Sequence, residues 1–142
     1  MRRSLIPVLI VITMLFFIGC AKTAIKSTIS DFEDAINDES ASDLKETLSP
    51  DSDFILSDPT AAEFLDYFQS SSYIPLNYSN LDIDVGGGDA DVFSDVNYNG
   101  LPAEAKFWMR REGWFLSSDW RVYRYYDDIV DITEPIWRKP QN

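Results

Sequence analysis

Histidine is absent from this chain of 142 residues, and cysteine occurs only once, as Cys20. Without histidine, the chain lacks the usual general base of Ser-His-Asp hydrolases and the imidazole ligands of many zinc and haem sites. A single cysteine forms no disulfide within the chain and cannot by itself hold an iron–sulfur cluster. The sequence therefore predicts no metal and no cofactor. Carboxylates, tyrosines, lysines and hydroxyl groups remain for any acid–base chemistry.

Basic residues are also scarce. The chain has 12 lysines and arginines against 24 aspartates and glutamates, which gives a formal net charge of −12. Cleavage before Cys20 would remove Arg2 and Arg3 but no acid, so the remaining chain would be still more acidic. Nucleic acids and anionic lipid surfaces both require a basic partner. We therefore predict that the domain binds neither nucleic acid nor an anionic lipid surface.

The first twenty residues have the order of a secretory signal. Two arginines precede an apolar core from Leu5 to Ile18, and the small residue Gly19 stands before Cys20. This core is shorter than the run of about 18 apolar residues that spans a bilayer, and Pro7 lies inside it. The pattern predicts a signal peptide over residues 1–19. An ordinary cleaved signal and an uncleaved anchor are the alternatives to the lipoprotein signal described next.

The residues Phe17-Ile18-Gly19-Cys20 resemble the lipobox of bacterial lipoproteins. The resemblance implies cleavage before Cys20, acylation of its sulfur, and membrane binding worth about 0.8 kcal/mol for each buried CH₂. Ala21 follows the cysteine, and its likeness to Gram-negative lipoproteins implies the outer membrane in such an organism. The chain is then expected to face the periplasm or the cell exterior.

The remaining chain is long enough for one domain with a hydrophobic core. We predict a lipidated tether at residues 20–24, a domain at 25–128 and a C-terminal extension at 129–142. The extension is too apolar for a free linker, and we expect it to pack on the domain or on another subunit. Its apolar residues are Ile129, Val130, Ile132, Ile136 and Trp137.

Three helices are predicted in the first half of the domain from apolar residues at helical spacing. Ser40 and Asp43 are spaced as a capping box for the second helix. The third is predicted to have Asp58 as its N-cap and Pro59 at its first helical position. The apolar positions are Ile25, Ile29, Phe32 and Ile36, then Ala41, Leu44 and Leu48, then Ala61, Phe64, Leu65 and Phe68.

From Tyr73 onward the apolar period becomes two, which predicts an antiparallel meander with one face packed on helices. Gly86-Gly87-Gly88, Asn99-Gly100 and Arg111-Glu112-Gly113 supply the turns. The inward series are Leu81, Ile83 and Val85, then Val92, Val96 and Tyr98, then Ala105, Phe107 and Met109, then Trp120 and Val122.

The central hairpin has two candidate registers. A tight Asn99-Gly100 turn places two acids opposite each other and Pro102 inside a paired strand, both of which are unfavourable. A four-residue loop from Asn99 to Pro102 gives favourable pairs on the outer face, so we predict the longer loop. Its pairs are Asp95 with Lys106, Phe93 with Trp108, and Asp91 with Arg110.

Two segments of the helical half, FEDAI at 32–36 and DLKETLSPDS at 43–52, resemble the opening of NTF2-like (SnoaL-type) domains. The segments FWMRREGW at 107–114 and DWRVY at 119–123 resemble the last hairpin of that family. The resemblance covers about residues 25–127. It implies an α+β cone, with N-terminal helices packed on a curved antiparallel sheet around a pocket, and often a dimer. Some members are enzymes that use a pocket Asp or Tyr. No family catalytic residue matches a position here, so none is assigned.

Three groups of residues are candidates for binding. Four acids flank the glycine turn, where they suit Ca²⁺ by ligand type but match no EF-hand spacing, so a solvated hairpin is favoured. Four arginines late in the chain either capture an anion or neutralise neighbouring strands. Outward Trp108 and Tyr123 mark either a partner surface or an aromatic ladder on a free sheet face. The acids are Asp82, Asp84, Asp89 and Asp91, and the arginines are Arg110, Arg111, Arg121 and Arg124.

These observations favour a lipid-anchored envelope protein whose domain binds a small ligand or a partner, either a second copy or another envelope protein. The competing hypothesis is a small pocket enzyme, such as an isomerase, cyclase or hydrolase, that works through a carboxylate and a tyrosine. A purely structural role in assembly is a third hypothesis. Cys20 is the one residue with a predicted chemical role, and that role is lipidation.

Overall fold

The computed structural model describes residues 5–52, 58–70, 72–114 and 119–129. Its helices precede its strands, and the strands form one antiparallel sheet in the order of the chain. This is the predicted α+β architecture of helices packed on a meander. The elements are α1 Leu5–Asn37, α2 Ala41–Thr47, α3 Asp58–Ser70, β1 Leu76–Gly86, β2 Asp89–Tyr98, β3 Leu101–Arg111 and β4 Trp120–Asp127.

The helix α1 contains both the apolar N-terminal run and the first predicted domain helix. From Ile10 to Ile18 its large apolar side chains are 43–70% exposed, whereas Ile25 is fully buried in the domain core. Residues 20–24, the predicted tether, are helical here. Within the described residues, α1 over Ile10–Asn37 is long and apolar enough to cross a membrane, which a signal sequence near the N-terminus also satisfies.

The other two predicted helices are confirmed. Ser40 caps α2, since its hydroxyl oxygen accepts a 3.4 Å hydrogen bond from the backbone nitrogen of Asp43. Helix α3 begins at Asp58, one residue before the predicted first helical position at Pro59. The apolar stripes of the three helices enter one core with the inward residues of the sheet. The predicted C-terminal extension lies outside the described residues except for Ile129, which packs on that core.

The predicted four-residue loop between β2 and β3 is wrong. The hairpin closes at Tyr98 and Leu101 around a two-residue Asn99-Gly100 turn. The predicted pairs of Asp95 with Lys106, Phe93 with Trp108 and Asp91 with Arg110 are therefore wrong as well. Instead Asp95 pairs with Glu104, Phe93 with Lys106, Asp91 with Trp108 and Asp89 with Arg110.

The tight turn prevails because its backbone conformation is favourable and its expected penalties are small. Asn99 and Gly100 both have positive φ, 51° and 98°, as the preferred two-residue hairpin turn requires. Pro102 follows the closing pair, where antiparallel geometry places a non-hydrogen-bonded pair, so its missing N–H costs no bond to β2. The opposing acid Asp95 accepts a 2.6 Å hydrogen bond from Asn80 at the exposed surface.

The predicted inward and outward residues of β2 and β3 are nevertheless right. The predicted register differs from the observed one by two residues, and a shift of two keeps every side chain on the same face of the sheet. The predicted inward residues of β2 and β3 are all buried, at 3% exposure or less. Between β3 and β4 a register shift follows Trp108, where Tyr123 is the extra residue of a β-bulge. The bulge reverses the alternation, so that Tyr125 and Asp127 point inward beyond it.

Candidate functional site

A buried polar cluster lies inside the fold, between α1 and the sheet. It consists of Tyr78 on β1, Tyr98 on β2, and Tyr125 and Asp127 on β4, all at most 8% exposed. The rings of Tyr78 and Tyr125 pack around Phe107, at centroid separations of 5.0 and 4.9 Å. The aromatic core thus surrounds a carboxylate and three hydroxyl groups.

The hydrogen bonds of this cluster close on Asp127. Its Oδ2 accepts bonds from the hydroxyls of Tyr98 and Tyr125, the latter at 2.6 Å. The hydroxyl of Tyr78 donates to that of Tyr125 at 2.9 Å, and the backbone nitrogen of Ile129 donates to Asp127 Oδ1 at 2.9 Å. Each of the three phenolic protons is therefore used inside the cluster.

Burial raises the pKa of Tyr78, Tyr98 and Tyr125 above the usual tyrosine value, because the low-dielectric interior disfavours a phenolate. The nearby carboxylate of Asp127 acts in the same direction. These tyrosines stay protonated at neutral pH and act as hydrogen-bond donors. Chemically, the cluster can hold the negative charge of Asp127 or donate to a polar group that replaces it.

Of this cluster the sequence pattern predicted only Tyr98 as an inward residue; Tyr78, Tyr125 and Asp127 were not predicted. Strict alternation from Trp120 and Val122 would have placed Arg124 inside the core. An inward arginine opposite apolar strands is the signal that a bulge must change the alternation before that position. The carboxylate-and-tyrosine pair of the enzyme hypothesis is thus present, although no residue was assigned to it.

The predicted outward aromatics lie on the opposite, outer face of the sheet. Trp108 is half-buried there, with the Lys106 ammonium 4.5 Å and the Arg124 guanidinium 5.6 Å from its ring centroid. Tyr123 stacks in the same way beneath Arg110, at 4.1 Å. These contacts form a cation–π ladder across β3 and β4.

One cross-strand row of this face exposes aromatic surface. Lys106 pairs with Phe93 on one side and with Tyr126 on the other. Phe93 is 52% exposed and Tyr126 is 53% exposed. We call Phe93, Lys106, Trp108 and Tyr126 the outer aromatic patch.

The four predicted arginines do not converge on one point. Arg110 is 3.5 Å from Asp89, and Arg121 makes a two-pronged contact with Asp119 at 3.1 Å. Arg111 lies over the Trp120 ring, and Arg124 lies over Trp108. The structure therefore uses them as neighbours of acids and aromatic rings, as the strand-neutralising hypothesis predicts.

The four acids at the glycine turn are not gathered into one site either. Asp84 and Asp91 face each other across the hairpin, as expected, but Lys106 rather than Arg110 pairs with Asp91, at 2.8 Å. Among the described residues, no group of three or more His, Cys, Asp or Glu side chains is placed to hold a metal ion. The observed ion pairs favour the solvated hairpin.

An acidic cleft of about 360 Å³ lies between α1, α2 and the start of β4. Its acids are Asp31, Asp34, Asp38, Asp43, Glu46 and Asp119. All six are exposed, on α1 and α2 or in the segments beside α1 and β4, and exposure is the ordinary location of such residues. We assign no ligand to this cleft.

Several solved structures are similar to this fold. A variant of the Mycobacterium tuberculosis protein Rv3472, of unknown function, is similar with a TM-score of 0.58 and 16% identity, over 75% of this chain and 70% of that one. A Nostoc punctiforme protein of unknown function with a cystatin-like fold is similar with a TM-score of 0.58 and 15% identity, over 75% of this chain and 88% of that one. An NTF2-like protein of unknown function from Pseudomonas putida has a TM-score of 0.56 and 14% identity, over 87% of this chain and 98% of that one.

These similarities confirm the NTF2-like α+β fold, with its N-terminal helix on a curved four-stranded antiparallel sheet. At such low identities they show the fold alone. No protein-family model matches the sequence, and no curated protein matches it either.

Proposed function

We propose that this chain is a lipid-anchored cell-envelope protein whose domain binds a partner protein through the outer aromatic patch and is not an enzyme. The observation that carries the binding role is the exposure of Phe93 and Tyr126 on either side of Lys106. Aromatic side chains beside a long cation are typical of interface hot spots. The partner is a second copy of this chain or another envelope protein.

The anchoring part of the proposal is supported by the exposed apolar side chains of α1 and by the exposure of Cys20 directly after them. We expect Cys20→Ser to abolish labelling by radioactive palmitate and to leave the precursor uncleaved. Ala21→Asp is the matched control: it keeps the acylated sulfur, so labelling should persist, while a Gram-negative host should retain more protein in its inner membrane. Palmitate labelling of Cys20→Ser would contradict lipidation at this residue.

The binding part is tested by photo-crosslinking in cells. A photoreactive phenylalanine analogue at Tyr126 should crosslink to one defined protein, and Phe93→Ser should abolish that product. The same analogue at Glu39, which is exposed at the end of α1, should not give it. Mass spectrometry then distinguishes a second copy from a different protein. A product from Tyr126 that is unaffected by Phe93→Ser would argue against the patch.

The second candidate function is a small pocket enzyme, and the observation that favours it is the Asp127 carboxylate beside the hydroxyls of Tyr98 and Tyr125. In the described residues these groups bond to one another, so a substrate would have to displace one of them. The fluorescent dye anilinonaphthalene sulfonate, whose emission rises when its aromatic rings enter an apolar site, tests for a cavity. Saturable binding at one dye per chain, weakened by Tyr98→Phe, would favour the enzyme over the proposed binding role.

A further inference from the structure

The domain begins almost immediately after the apolar run of α1. Ile18 is exposed and Ile25, seven residues later, is fully buried. At 1.5 Å per helical residue, about 10 Å of helix separates them. If residues 20–24 were instead fully extended, Cys20 would still lie within about 18 Å of Ile25. The domain therefore cannot move far from a membrane that holds either Cys20 or the apolar run.

One end of the sheet lies beside this part of α1. The Thr28 hydroxyl donates a 2.6 Å hydrogen bond to the carbonyl oxygen of Trp120, the first residue of β4. Trp120 pairs with Arg111, whose backbone nitrogen donates to the Gly88 carbonyl oxygen at 2.8 Å. We define the anchor end as residues 20–28, the turn at 87–88, and residues 111–114 with 119–120.

The anchor end exposes a tryptophan. Trp114 follows β3 in the connection to β4 and is 65% exposed, among the highest values of any large apolar side chain in the described part of the domain. The two ends of this connection are joined by a 2.8 Å hydrogen bond from the Glu112 nitrogen to the Asp119 carbonyl oxygen. Tryptophan prefers the headgroup layer of membranes, where its ring is partly buried and its N–H stays hydrated.

The two ends of the domain differ in their charged residues. Five bases lie at or next to the anchor end, alongside four acids, and the acidic cleft adjoins it at Thr28, Asp119 and Trp120. The bases are Lys22, Lys26, Arg110, Arg111 and Arg121, and the four acids are Asp84, Asp89, Glu112 and Asp119. The opposite end, near the Asn99-Gly100 turn and the end of α1, carries Asp38, Glu39, Asp95, Glu104 and Asp128. The domain is too acidic to bind anionic headgroups by charge, so the contact rests on Trp114, and the bases of the anchor end offset part of the repulsion.

We propose that the anchor end is a membrane-contact surface, with Trp114 seated in the headgroup layer of the same bilayer that holds the N-terminal anchor. The anchor alone fixes only the distance to the membrane. Trp114 supplies a second point of contact that fixes the tilt and directs the Asn99-Gly100 end outward. This inference rests on the membrane attachment proposed above, and it holds for an acylated Cys20 and for an uncleaved apolar helix alike.

The test uses the full protein, as isolated from membranes, in vesicles of phosphatidylethanolamine and phosphatidylglycerol that contain phosphatidylcholine brominated near the headgroup. Bromine quenches tryptophan that lies in the interface. We expect the fraction of emission quenched in the native protein to fall by about half or more in Trp114→Phe, because the interfacial ring is lost. Trp108→Phe, which removes a tryptophan from the middle of the sheet, is the control and should keep that quenching.

A reporter at the opposite end completes the experiment. Leu101 is also an exposed apolar side chain, and it lies about 30 Å from Arg111 along β3. In the Trp114→Phe background, Leu101→Trp should add emission that brominated lipid does not quench. Equal quenching of the native protein and Trp114→Phe, or quenching of the residue introduced at position 101, would overturn the orientation. Flotation of every variant with vesicles is measured separately, and failure to float would instead refute the membrane attachment itself.

Discussion

The Tyr125 hydroxyl donates a 2.6 Å hydrogen bond to the carboxylate of Asp127, two positions further along the same strand. Residues two apart share one face of a strand, and the bulge at Tyr123 turns this face toward the core. A carboxylate so deeply buried is tolerated only because donors surround it. The bulge therefore determines whether β4 presents a tyrosine–carboxylate cluster or Arg124 to the interior.

Asp127→Ala should be strongly destabilising. It removes the acceptor of two buried hydroxyls and of the Ile129 nitrogen, and it leaves a cavity. Because a buried donor without a partner costs about 1–3 kcal/mol, we expect a loss of about 3 kcal/mol or more in the free energy of unfolding. Urea denaturation measures it. Asp128→Ala, at the exposed neighbour, should change it by less than about 0.5 kcal/mol. Similar losses for both would contradict a structural role of the cluster.

The sequence predicted the fold well because its strongest signals are local and repeated. The helical spacing of Ile25, Ile29, Phe32 and Ile36 predicts a core stripe, and their burial at 1% exposure or less confirms it. The register of β2 and β3 and the Asp127 cluster depend instead on competing contacts between strands. In the register, the favourable conformation of the Asn99-Gly100 turn outweighs the exposed repulsion between Asp95 and Glu104. In the cluster, the extra residue Tyr123 decides which side chains of β4 point inward.

Alkaline pH should ionise the cluster only as the domain unfolds. Burial raises the pKa of Tyr78, Tyr98 and Tyr125 in the folded state, so above about pH 10 the unfolded chain loses protons that the folded chain keeps. The contribution of these tyrosines to stability is then constant below that pH and falls above it, by about 1.4 kcal/mol per pH unit for each of them.

Absorbance at 295 nm and far-ultraviolet circular dichroism, recorded together during the titration, check this prediction. Three of the seven tyrosines should ionise in the same cooperative step in which the circular dichroism is lost. Complete ionisation of all tyrosines while the secondary structure persists would show that the hydroxyls are accessible to water, as an open pocket requires.

Gly100→Ala should destabilise the central hairpin. Gly100 has φ of 98°, where a side chain is strained although its Cβ would meet nothing within 4 Å. We expect a loss of about 1–2 kcal/mol in the free energy of unfolding. Gly88→Ala is the matched control, because its Cβ also meets open space and its φ is not positive; its effect should stay within about 0.5 kcal/mol. If Gly100→Ala were neutral, the four-residue loop would have to be reconsidered.

Asp84→Asn should stabilise the glycine hairpin slightly. Asp84 faces Asp91, and a pair of like charges directly opposite each other is destabilising, so we expect a gain of a few tenths of a kcal/mol. Because the Lys106 ammonium lies 2.8 Å from Asp91 and offsets the repulsion, the gain should be larger in a Lys106→Gln background. Thermal unfolding in millimolar Ca²⁺ and in chelator measures both. A calcium site would reverse the result: chelator would lower the melting temperature, and Asp84→Asn would be destabilising when Ca²⁺ is present.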